Sequence, residues 1–198
     1  MKSKMQIKLD YTSLLIPIMI GTEGAWNDVL ALLLAAAIHE CGHLIVAHWF
    51  DIPIQALHIS ILGARLELSN PLISYRREWI LCAAGPFFSG LGAWFALLLT
   101  FILPESAWAE RFGGISLALG LVNLLPIGWL DGGRMFRMLC YQFLSPDAVR
   151  MLVRAVSFFF FLLLWMTSVY LLLRVGNSLS LFVFSFSLFL RFFLLESD

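Results

Sequence analysis

His39-Glu40-Cys41-Gly42-His43 places two histidines four residues apart, with a glutamate directly after the first. Residues four apart on a helix share a face, so both imidazoles can reach one zinc ion. Glu40 is offset by about 100° on a 3.6-residue turn, which sets its carboxylate beside the metal rather than on it. From there it can take a proton from a water at the zinc and later return it to a leaving amine. Zinc lowers such a water's pKa from about 15.7 to about 7, so hydroxide is available at neutral pH. The bland alternative is a pair of histidines satisfied by hydrogen bonds in a helical core. The setting disfavours it, because the flanking run from Val29 to Phe50 is apolar. A charged group at a bilayer centre costs roughly 2.5–3.5 kcal/mol even on the lenient insertion scale, and metal binding offsets that cost. Cys41 points away from the metal in this pattern and reads as packing. His48, five residues beyond His43, falls off the metal face, and His58 reads as a surface residue.

The elements that must hold these groups are membrane elements. Of 198 residues 61% are hydrophobic and 13% charged, and the mean hydropathy is +0.89. The charges gather between long apolar runs, the pattern of a polytopic helical membrane protein. Net charge is zero and no basic tract is present, which excludes nucleic acid as a partner class. Cys41, Cys82 and Cys140 show no paired spacing, so neither a disulfide framework nor a CxxC zinc site is expected.

Six apolar segments can be drawn, over 11–22, 26–50, 79–103, 107–126, 151–174 and 178–195. The first is shorter than the roughly 20 residues a span needs. It extends back over Ile7 and Leu9, or is tilted or re-entrant. A signal peptide competes for this stretch, but no clean small-x-small cleavage site follows, which favours an uncleaved span. Lys2, Lys4 and Lys8, then Arg65, Arg76 and Arg77, then Arg134, Arg137, Arg150 and Arg154 fall on one side if there are six spans. The positive-inside rule makes that side, with both termini, cytoplasmic. Between the second and third spans, 57–61 and 64–68 each alternate apolar and polar residues about Gly63, which predicts a β-hairpin. That hairpin is either an ordinary turn of chain or an exposed strand edge where an extended substrate can pair. The fold class expected is all-α polytopic, with about six transmembrane helices and a short membrane-associated β-hairpin, in a single domain over 1–198.

A catalytic zinc site takes a third protein ligand and leaves one position open. With this topology the second span carries His39 and His43 in its cytoplasmic half. The fourth span ends on the same side at Asn123-Leu124-Leu125-Pro126, and Asp131 follows before Gly132-Gly133. Pro126 and Gly128 can break the helix, and the paired glycines let the backbone fold tightly, so Asp131 can reach the zinc. An aspartate in a solvated turn is the competing reading; matched depth favours a ligand.

Taken together, these residues resemble the site-2 protease family of intramembrane zinc metalloproteases. The resemblance rests on the His39–His43 motif, Gly63 in the hairpin, Ala84-Gly85-Pro86, and the run from Asn123 through Pro126 to Asp131-Gly132-Gly133. It implies one zinc ion per chain, with Asp131 completing the site and Asn123 helping to hold the substrate or the reacting water. It also implies regulated intramembrane proteolysis of membrane-embedded or membrane-associated protein substrates, often to release or activate a transcription factor. Ser89 departs from the asparagine that members often carry after Gly-Pro. With no PDZ-like insertion or CBS-like domain expected, the layout is similar to the subgroup containing the stage IV sporulation protease. The implied setting is the bilayer of a bacterial cytoplasmic membrane, with the active site toward the cytoplasm.

The contrasting class is a catalytically silent membrane zinc protein acting as scaffold or sensor, against which the intact Glu40 argues. A metal transporter would need polar residues continuing through several spans. Arg134 and Arg137, on a possible amphipathic helix over 133–144, read as anchors to anionic headgroups. Arg174 reads as snorkelling to the outer interface, and Phe158–Phe161 as lipid-facing or packing surface.

Overall fold

Long runs of Leu, Ala, Val and Phe can satisfy their backbone polar groups in an apolar medium only as helices, and five helices dominate among the described residues. The computed structural model describes residues 6–9, 26–60, 63–68, 74–103 and 106–175. In chain order the elements are β1 (Gln6–Leu9), α1 (Trp26–Trp49), β2 (Ile54–Ser60), β3 (Gly63–Leu68), α2 (Tyr75–Ile102), α3 (Ala107–Asn123), α4 (Asp131–Cys140) and α5 (Pro146–Val175). The apolar segments at 11–22 and 178–195 lie outside the described residues.

Three of these helices, α1, α2 and α5 up to Arg174, are long and apolar enough to cross a membrane. Six spans are therefore not counted among the described residues. α3 has 17 residues and stops at Asn123, three residues before the apolar run ends. Pro126 explains the early stop, since it disfavours the α conformation in Leu125 and cannot donate an amide to the helix.

The helices are inside-out relative to a soluble bundle. α1 buries Ala31, Ala35, His39, Gly42, His43, Val46 and Ala47 along one stripe. Its other face exposes Leu30, Leu33, Ile45 and Trp49. Large apolar side chains outside and small ones inside suit lipid contact and close backbone approach. A Cβ on Gly42 would lie 2.8 Å from the Ala84 carbonyl oxygen, and one on Gly113 would lie 2.9 Å from Ala96 Cβ. α1 and α2 therefore meet nearly backbone to backbone, as do α2 and α3. Arg111 of α3 pairs with Asp28 of α1 at 2.9 Å, tying the starts of these two helices together. α1 and α3 run in the same direction.

A three-stranded sheet of order β1-β2-β3 follows α1. β2 and β3 pair antiparallel, with Ser60 opposite Gly63 and His58 opposite Arg65. β1 lies parallel to β2, Gln6 opposite Ala56 and Leu9 opposite Ile59. Ile7 and Leu9 thus belong to a strand, not to a backward extension of the first apolar segment. The alternation Gln6-Ile7-Lys8-Leu9 is period two, but four residues are too few to decide between periods.

α1 ends in a Schellman motif. Ile52 N donates to the Ala47 carbonyl (2.9 Å) and Asp51 N to the His48 carbonyl (3.1 Å). Asp51 occupies the left-handed position with φ 52°, where glycine is usual. An L-residue there costs roughly 1–2 kcal/mol, against about 0.5–1 kcal/mol of extra chain entropy for glycine. Asp51→Gly should therefore raise unfolding stability by up to about 1 kcal/mol. Asp51→Val should lower it by at least that much. Unfolding of both proteins in the same detergent checks the sign.

Candidate metal centre

The two histidines of α1 face α2 at a point where α2 has no side chain. A Cβ on Gly85 would fall 2.6 Å from His39 Nε2 and closer still to His43 Nε2. Glycine is the residue that leaves space there for both rings. The rings meet edge to face, with centroids 5.0 Å apart. His39 is 3% and His43 6% exposed.

Each ring is held from behind. His43 Nδ1 lies 2.8 Å from the Leu81 carbonyl oxygen, and a carbonyl can only accept. Nδ1 therefore carries the proton, and in the neutral ring Nε2 is bare. His39 Nδ1 lies 2.9 Å from Ser89 Oγ. Both Nε2 atoms then point inward, 3.3 Å apart.

Asp131 closes the triangle. Its Oδ2 is 3.2 Å from His39 Nε2 and 3.1 Å from His43 Nε2. It is the first residue of α4, and the glycines after it explain how it gets there. A Cβ on Gly132 would overlap the Leu124 carbonyl, and one on Gly133 the Ile127 carbonyl. The first turn of α4 thus packs directly on the 124–128 backbone. The peptide of Gly128 is clamped on both sides, its N–H donating to Ser157 Oγ (2.9 Å) and its carbonyl accepting from Arg137 (3.2 Å). Arg134 pairs with Glu78 of α2 at 3.2 Å. Both guanidiniums are engaged within the protein, which differs from the headgroup-anchor role expected of them.

Burial pushes the Asp131 carboxyl up, whereas positive charge opposite it, on protonated His39 and His43 rings that donate to it, holds it below the usual carboxylate range. Asp131 is thus an anion facing two nitrogens. Two imidazole lone pairs and a carboxylate oxygen converging at 3.1–3.3 Å repel one another unless a cation or protons lie between them. Four-coordinate zinc with bonds of about 2.0–2.1 Å requires its ligand atoms to sit about 3.3–3.4 Å apart. Three such separations, and donor types that zinc takes, fit a tetrahedral ion with its fourth position open. Among the described residues His39, His43 and Asp131 are the group placed to hold a metal ion.

Glu40, the next residue of α1, is half-buried. Asn123 closes α3, and its Nδ2 donates to the Leu119 carbonyl (3.0 Å). Cys41 is exposed on the outer face of α1, not packed inside. His48 is exposed as well. Neither the space left at Gly85 nor the contact made by Ser89 is announced by the residues around them. The spacing of 85 and 89 was a usable signal, since it puts both on one face of α2.

The model of Peptidase family M50 matches residues 106–164, the stretch that contains Asn123, Asp131 and Ser157. Stage IV sporulation protein FB of Bacillus subtilis is 30% identical over 148 residues, covering 71% of this chain and 50% of that protein. Zinc metalloprotease candidates are also similar: one from Synechocystis, 30% identical over 129 residues (62% of this chain, 34% of that protein), and Rip3 of Mycobacterium tuberculosis, 30% identical over 141 residues (67% and 34%). The chain is similar to the site-2 protease family, peptidase family M50. The Site-2 Protease from Methanocaldococcus jannaschii shares the fold, with a TM-score of 0.70 over 92% of this chain and 90% of that one, at 18% identity. The chain spans half the length of the sporulation protein and about a third of the other two relatives. The metal that the family implies has a matching donor set here.

Proposed function

We propose that this chain is an intramembrane zinc metalloendopeptidase that hydrolyses peptide bonds of membrane-embedded or membrane-associated proteins. The observation that carries the reading is the triangle of His39 Nε2, His43 Nε2 and Asp131 Oδ2, with sides of 3.1–3.3 Å. Those three residues would hold one zinc ion, which supplies Lewis acidity toward water and the scissile carbonyl at neutral pH. Glu40 would accept a proton from the attacking water and pass it to the leaving amine. Asn123 would hold the substrate or the water. Its Nδ2 donates one hydrogen to Leu119, which leaves the amide oxygen and the second N–H to present.

A substrate helix hides its carbonyls in internal hydrogen bonds, so it must unwind to be cut. β2 has partners on both sides in the sheet, which leaves the outer edges of β1 and β3 for an unwound strand to pair with. We place the chain in a bacterial cytoplasmic membrane with six spans, both termini and the site toward the cytoplasm. The parallel course of α1 and α3, and the meeting of His39 and His43 with the residue just beyond α3, support a common depth.

The test is reconstitution with candidate membrane substrates. Cleavage should stop when zinc is stripped by a chelator and return when zinc is added back. Persistent cleavage in the metal-free protein would overturn the reading. Tight zinc binding with no cleavage of any membrane substrate would favour the silent scaffold or sensor.

A further inference from the structure

We propose that Ser89 is a positioning residue of the metal centre, fixing the His39 ring with Nε2 turned to the ion. The inference rests on the metal-centre reading above and goes beyond it to a residue outside the ligand set. Ser89 is fully buried, on α2 one turn after Gly85. Gly85 makes room for the rings, and Ser89 receives the one of them that no backbone carbonyl secures. Its Oγ lies 2.9 Å from His39 Nδ1. For Nε2 to act as a ligand, the proton of a neutral imidazole must sit on Nδ1 and be donated there, so Ser89 Oγ is the acceptor.

The two rings are thus oriented by different devices. His43 uses the Leu81 carbonyl, which no side-chain substitution removes. His39 depends on a hydroxyl. Ser89 is itself confined by α3, since a Cβ on Gly120 would lie 2.9 Å from Ser89 Cβ and 3.4 Å from the Pro86 carbonyl oxygen. The hydroxyl is therefore presented from a spot sealed between α2 and α3.

Ser116 supplies an internal control. It is also a buried serine in the α2–α3 interface, near Gly92, but it makes no hydrogen bond to either histidine.

The experiment titrates the full chain in detergent with Zn(II), and with Co(II) as a coloured probe of ligand geometry. Ser89→Ala and Ser89→Cys should each bind zinc roughly 10–100-fold more weakly, the usual cost of losing a ligand's outer partner. Both should shift the visible spectrum of the cobalt form. Ser116→Ala should change neither. Affinity within twofold of wild type and a superimposable cobalt spectrum for Ser89→Ala would overturn the proposal. So would an equal loss in Ser116→Ala, which would show packing to be the cause. Wild-type protein that takes up no metal would instead remove the metal-centre reading, and this inference with it.

Discussion

Glu40→Gln should retain zinc at wild-type stoichiometry and lose cleavage by a factor of about 10²–10⁴ or more, the span that general acid–base catalysis contributes. None of the three atoms that face one another at 3.1–3.3 Å belongs to Glu40, so the donor set is untouched. Glutamine has nearly the same shape and keeps an acceptor oxygen and a donor, but it cannot take up a proton. The substitution therefore separates holding the metal from using it. His43→Ala and Asp131→Ala should fail differently, by weakening metal binding, because each removes one corner of the triangle. Metal content by atomic emission, alongside cleavage of a membrane substrate, reads the two effects independently. Full cleavage by the Glu40→Gln protein would sink the mechanism.

Gly85→Ala should also be severe, by a route that replaces none of the three donor residues. The added Cβ would lie 2.6 Å from His39 Nε2 and 2.7 Å from His39 Cε1, and in overlap with His43 Nε2. The backbone of α2 has little freedom to retreat, since α1 rests on the Ala84 carbonyl through Gly42. The rings must swing instead. That breaks the bonds to Leu81 and Ser89 and moves both Nε2 atoms away from Asp131. Zinc affinity should fall by more than about 100-fold, beyond the effect expected of a single outer partner. Gly90→Ala is the matched control on the same helix, because a Cβ there meets nothing within 4 Å. It should leave zinc affinity unchanged and stabilise α2 by about 0.5–1 kcal/mol. Equal zinc affinity in the Gly85→Ala and wild-type proteins would show that the rings do not need the space glycine leaves.

Periodicity is local, and what it encodes could be read. Two histidines four apart pointed to a shared helical face, and α1 buries both on its inner stripe. Gly132 and Gly133 announced a close approach of backbone, and the contacts with Leu124 and Ile127 supply its partners. What resisted reading is what depends on pairing between distant segments. Nothing in Gln6–Leu9 says that it will lie along Ala56–Ile59. Nothing near His39 says that its acceptor is a serine 50 residues away. Arg134 and Arg137 carry the composition of headgroup anchors, yet they turn to Glu78 and Gly128. A guanidinium takes any acceptor the fold places in reach, and sequence lists the donor without the acceptor. The end of α3 shows the limit of hydropathy itself. The apolar run continues to Pro126, but backbone geometry stops the helix at Asn123.

The atoms placed to hold a metal ion come from two parts of the chain, His39 and His43 from α1, and Asp131 from beyond α3. An ion held between them is a non-covalent cross-link that joins position 43 to position 131 and closes a long loop of chain. Its strength is set by mass action. Free zinc at a thousand times the dissociation constant would add about 4 kcal/mol to the folded state, and none when the metal is withdrawn. The segment from Leu124 to Leu130, gripped by Ser157 and Arg137 on one side and by the ion through Asp131 on the other, would then loosen first. Metal supply would govern the protein's lifetime in the membrane as well as its chemistry.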